Sequence, residues 1–280
     1  MLHAIRTTLL APLALLAATT FANAQAARAE QSAALFDALG LPEMIAIMRE
    51  EGLAYGAEIA MDLLSTTTNA KWDKTVSDIY DVDRMRGGAA AALDKALAGK
   101  DIDAMLAFFT SALGQEVIAL ETSARRALLD DVVDEAAKLA AGDALEADTP
   151  RSQLVTDFVA ANDLIDTNVV GAMNANFAFY MGLQDGGAFD AELTEDQILA
   201  DVNDQEPQIR QNTTEWVYGF LMLAYGPLSD AELQGYIDFS RTGPGQDLNA
   251  AMFDAFDQMF VAISRELGRA SAQYMAGQDI

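Results

Sequence analysis

The residues available for chemistry in this chain are carboxylates, hydroxyls and amides. Its one histidine is His3, inside an N-terminal stretch that reads as a targeting segment, and it has no cysteine. Imidazole or thiolate zinc sites, thiol catalysis and Ser-His relays are therefore excluded from the rest of the chain. It contains no Gly-x-Ser-x-Gly elbow, no Ser-x-x-Lys and no phosphate-cradling glycine loop. What remains is acid: 43 Asp and Glu face 17 Lys and Arg, for a net charge of −26. Asp201, Asn203 and Asp204 resemble the start of a calcium loop, but the turn position lacks glycine and the twelfth position is Asn212 instead of Glu. An EF-hand is rejected on those grounds. Asp130, Asp131, Asp134 and Glu135 read as an acidic patch near a helix C-terminus, where the dipole disfavours them. A solvated face with at most a weak cation site is the reading. Glycoside hydrolysis needs only two carboxyls at the right separation, and so many acids make candidate pairs uninformative. No catalytic, cofactor-binding or metal-ligating residue is assigned.

The elements that would have to position any site are helices. Met44, Met48, Tyr55, Ile59 and Leu63 fall at helical spacing, as do Ile165, Val169, Met173, Phe177 and Met181, and no run alternates with period two. Thr149-Pro150, Thr194 with Gln197, and Ser229 with Glu232 have the spacing of helix N-caps and capping boxes. The apolar run from Glu215 to Pro227 is far shorter than a membrane span of about 20 residues and reads as the most buried helix. These signals predict an all-α protein, soluble and able to exist as a monomer, of about eight to ten helices.

One pattern occurs twice. Phe109-Thr110-Ser111-Ala112-Leu113-Gly114-Gln115 and Phe239-Ser240-Arg241-Thr242-Gly243-Pro244-Gly245-Gln246 each carry an aromatic, a hydroxyl residue and Gly-Gln, with the glycines 131 residues apart. At the same offset Ile102 matches Leu233, Phe108 matches Phe239, Val117 matches Leu248, Leu128 matches Met259 and Val132 matches Ile263. The correspondence predicts a tandem duplication of a helix–corner–helix unit. In each corner Ser111 or Thr242 caps the second helix, and Gly114 or Gly245 lets the two helices approach. A Gly-Gln anion site at the helix N-terminus is the alternative. No basic residue common to both copies supports it. The implied divisions are a signal peptide at 1–24, repeat units at 25–140 and 152–276 with a linker at 141–151, and a tail at 277–280.

At these corner residues the chain resembles the bacterial proteins of domain-of-unknown-function family 2059. That family's signature is an aromatic followed by Ser-Pro-x-Gly-Gln or a close variant. The first copy here lacks the proline, and the second displaces it by one. The resemblance implies an all-α fold and export, and it implies no activity.

Arg6, the apolar run Leu9–Ala18 and the small residues Ala22-Asn23-Ala24 are laid out as a cleavable secretory signal. They predict a periplasmic or secreted protein with no integral span after cleavage. The acidic surface disfavours nucleic acid and anionic membrane. The favoured function is non-enzymatic: binding or scaffolding of a protein partner, basic or embedded in the membrane, through a helical surface. An apolar-ligand carrier is the alternative, with Trp216, Met222, Phe253, Phe256 and Phe260 lining its groove. A carboxylate-dependent hydrolase ranks third. No cofactor is expected.

Overall fold

The computed structural model describes residues 27–62, 70–189 and 194–277. The targeting segment, Leu63 and the end of the tail lie outside these residues. Among the described residues every regular element is a helix. The first, α1, occupies residues 27–38. It is followed by α2 (Leu41–Asp62), α3 (Ala70–Ile79), α4 (Val82–Ala96), α5 (Ile102–Phe109), α6 (Ala112–Ala127) and α7 (Asp131–Glu146). The second half contains α8 (Pro150–Ala161), α9 (Leu164–Asp185), α10 (Glu195–Asp204), α11 (Glu206–Tyr225), α12 (Asp230–Ser240) and α13 (Gly243–Met275).

Local chemistry sets most of these boundaries. Thr149 caps α8, while Thr194 and Ser229 form complete capping boxes with Gln197 and Glu232. The helices outnumber the eight to ten expected because apolar stripes run across short breaks. Asp81 caps α4 directly after α3, and Asp130 caps α7 three residues after α6 ends. That second break corrects two readings. Asp130, Asp131 and Asp134 lie at the N-terminus of α7, where the dipole favours acids, and the Asp130 carboxylate accepts from the Val132 N–H at 2.9 Å. Val132 does not continue the α6 stripe; it is 79% exposed, whereas its counterpart Ile263 is buried in an unbroken α13.

The linker placed at 141–151 is also corrected. Helix α7 runs through Glu146, burying Ala141, so only a short turn precedes α8. Alanine, leucine and glutamate are strong helix formers, and the acidic residues there mark an exposed helix face. The two halves do not form separate cores either. One apolar cluster joins Leu35, Ile45, Trp72, Leu93 and Met105 to Leu248, Met259 and Leu267 of α13. A second joins Val117, Phe158, Leu221, Tyr225, Leu233 and Ile237.

Candidate functional site

The largest helix–helix contact is between α9 and α13. Asn249 meets Asn162, Asn174 meets Asp257, and Arg265 pairs with Asp185 at 2.8 Å, so the two helices run in the same direction. At their C-terminal ends the backbones touch. A methyl group on Gly182 would collide with the Arg265 carbonyl, and one on Gly268 with the Phe179 carbonyl. Toward their N-terminal ends that close approach is lost at Gly171. There a methyl on Gly171 would meet only the Asp257 carboxylate, at 3.8 Å. The opened end of this wedge is a cleft of about 700 Å³, bordered also by the turn at Leu39 and by α2, α5, α6, α8, α11 and α12.

Its walls are mainly apolar and come from both clusters. Phe253, Phe256 and Phe260 line it from α13, facing Met44 and Met48 of α2 and Phe220 of α11. On α13, Leu248, Ala251, Ala255 and Met259 are buried in the first cluster, while Phe253 borders the cleft and Phe256 and Phe260 both border it and pack against that cluster.

Four charged side chains interrupt these walls: Glu121, Arg125, Asp254 and Asp257. Glu121 of α6 is half-buried, with its side chain on the cleft. The Tyr225 hydroxyl donates to its Oε1 at 2.6 Å, and the Tyr236 hydroxyl lies close by. Loss of water raises its pKa to about 7, against the lowering effect of those two hydroxyls. The same burial, beside the carboxylate, pushes both tyrosines well above their ordinary value. Arg125, four residues along the helix from Glu121, does not neutralise it. Its guanidinium is held by Glu51 through two bonds of 2.7 Å and lies 4.6 Å above the Trp216 ring. In the cleft Arg125 is therefore already paired and stacked.

The two Gly-Gln corners meet beside this cleft. Ser111 and Thr242 each accept from the glycine N–H three residues on, both at 3.1 Å. Methyl groups on Gly114 and Gly245 would collide with the carbonyls of Phe108 and Phe239 respectively. The rings of those two phenylalanines stack on each other, 4.0 Å apart and 9° from parallel. Gln115 and Gln246 reach back to the carbonyls of Thr110 and Ser240. Gln246 also donates to the Ala161 carbonyl at 2.8 Å, tying its corner to the end of α8. Phe109, Phe239 and Gly245 border the cleft, so the paired corners build part of its wall. A second hollow, beside Gln115 and Arg126, is an open surface groove.

Among the sequence-predicted groove residues, Phe253, Phe256 and Phe260 come together on the cleft. Trp216 instead stacks on Phe220 and carries Arg125, and Met222 packs on the second cluster. Glu121, Tyr225 and Tyr236 were missed by sequence reasoning. The available signal was Glu121 itself, four residues after Val117 and three before Ala124, on the buried side of α6. Among the described residues no group of three or more acids, histidines or cysteines is arranged to hold a metal. No single described helix is long and apolar enough to cross a membrane.

Residues 83–143 match the model of domain-of-unknown-function family 2059, described as an uncharacterized protein conserved in bacteria. This stretch, from α4 to α7, is like that family; it holds the first corner and Glu121, while the second corner lies outside it. No curated protein and no solved structure matches the chain.

Proposed function

We propose that the protein holds an apolar or amphipathic small molecule in the cleft between α9 and α13, acting as a carrier in the bacterial envelope. The observation that carries this reading is the cleft itself: about 700 Å³, with seven phenylalanines and three methionines in its lining and Glu121 among its few charged groups. Small-molecule sites have this volume and this mixture of apolar walls with few polar groups. Methionine and phenylalanine walls adapt to flexible apolar chains. The N-terminal targeting layout supports the address. The test is native mass spectrometry of gently purified protein together with titration of Nile red, an uncharged apolar dye. A lipid-sized adduct and saturable dye binding at one site are expected. Ala175→Phe, at the cleft surface of α9, should keep the helical spectrum and weaken the dye at least tenfold. Absence of an adduct, with dye binding indifferent to Ala175→Phe, would remove the carrier reading.

A second reading, a helical surface for a protein partner, is favoured by α7. Val132 and Leu139, seven residues apart on one face, are 79% and 71% exposed. In-cell crosslinking from α7 should capture one recurring partner, basic or membrane-embedded. Crosslinks that scatter over abundant proteins would rule this reading out.

A further inference from the structure

The cleft is chemically one-sided. Its acids are Glu121 on the inner wall and Asp254 and Asp257 on α13. Its one bordering cation, Arg125, is already engaged by Glu51 and Trp216. An anionic head group entering here would meet carboxylates and no unengaged cation, an arrangement that repels it in a medium of low dielectric. A protonated amine meets the opposite situation. Asp254 and Asp257 attract it toward the cleft, and Glu121 offers it an acceptor. A carboxylate has about four lone-pair sites. Tyr225 takes up one of these, leaving Glu121 able to accept from a ligand. The usual objection to a buried ion pair is the cost of desolvating both partners. Here the apolar walls and the Tyr225 hydroxyl have already removed part of the water around Glu121, so the cost added on binding falls mainly on the ligand.

We propose that the cleft selects an apolar molecule bearing a protonated amine, seated with its hydrocarbon on Phe253, Phe256 and Phe260 and its amine on Glu121. The proposal rests on the cleft being a ligand site. Both are tested by displacing Nile red at neutral pH with dodecylamine, dodecanol and dodecanoate, which share one chain and differ in head group. The amine should displace the dye at roughly tenfold lower concentration than either of the others, a difference of about 1.4 kcal/mol. Glu121→Gln should bring amine and alcohol within about threefold. Asp143→Asn, an exposed acid on α7, should leave the full preference, which separates the site from general attraction to an acidic surface. Glu121→Asp keeps the charge but draws it back from the ligand. It should weaken the amine alone, and it serves if the glutamine variant does not fold. A carboxylate that competes as well as the amine, or an amine preference that survives at Glu121→Gln, overturns the proposal while leaving the cleft as a ligand site. If the dye fails to bind the wild-type protein, the carrier reading falls as well.

Discussion

Glu121 occupies a position on α6 where helical spacing would place an apolar side chain, and its consequences reach beyond ligand binding. A carboxyl whose pKa is raised from 4.5 to about 7 binds its proton more tightly in the folded protein than in the unfolded chain. Between those two pH values the folded state carries more protons, so stability falls as pH rises. Well above pH 7 the charge is present in full and destabilises the fold; well below pH 4.5 the effect is gone. A shift of this size corresponds to about 3 kcal/mol. The expected outcome is that Glu121→Gln, compared with wild type in urea melts, gains roughly 2–3 kcal/mol at pH 8 relative to its difference at pH 4.5. Equal pH profiles for the two proteins would show that Glu121 is as well solvated as a surface glutamate. The acid was legible in the sequence as an exception to the stripe. Its two tyrosine neighbours were not, because they arrive from α11 and α12, more than a hundred residues later in the chain.

At the level of elements, capping chemistry was legible and close packing was not. A cap is a local pairing between a side chain and an N–H three residues away, so Ser111, Thr242, Thr149, Thr194 and Ser229 could all be read from spacing. Glycine faces leave no mark on a hydropathy pattern. The stripe proposed for α2 included Tyr55, which is 47% exposed, whereas Gly52 and Gly56 are buried against Tyr80 and Val76. The α9–α13 wedge likewise depends on Gly182 and Gly268. Gly268→Ala is expected to cost about 1–3 kcal/mol, because the added methyl meets backbone that cannot step aside. Gly142→Ala, in the exposed part of α7 with nothing near the new methyl, is expected to gain about 0.5–1 kcal/mol. Thermal melts that give both variants the same sign would contradict the close approach. The two corners supply a matched comparison. Ser111→Ala and Thr242→Ala should each cost about 1 kcal/mol through the lost cap. Gly114→Ala and Gly245→Ala should cost more than the cap variant of the same corner, since each methyl points at a carbonyl. A glycine that tolerates alanine in one corner but not in the other would show that the shared geometry is not shared energetics.

For the whole molecule, the duplication readable at an offset of 131 residues did not reveal which faces would pair. The copies diverge where Asp130 starts a new helix in the first and α13 continues unbroken in the second. That uninterrupted helix carries Met259, Ile263 and Leu267 into the company of Leu93, Leu97 and Met105, so the first cluster contains residues from both ends of the chain. The second cluster does the same on a smaller scale, joining Val117 and Ala124 of α6 to α8, α11 and α12. A half consisting of residues 152–276 would leave the first-cluster face of α13 uncovered, and a half consisting of residues 25–140 would lack the helix that closes its core. Each exposed face is too apolar to remain in water without collapse or association. The expected outcome is therefore that neither half, expressed alone, gives a cooperative thermal transition with a structured near-ultraviolet spectrum. Mixing the two should restore both, because each half supplies the apolar face that covers the other. The intact protein should unfold with far- and near-ultraviolet signals changing together, as a cooperative unit does. A half that melts cooperatively by itself would mean that its cluster is complete without the other, and that the packing of α13 adds to two prior cores instead of creating a common one.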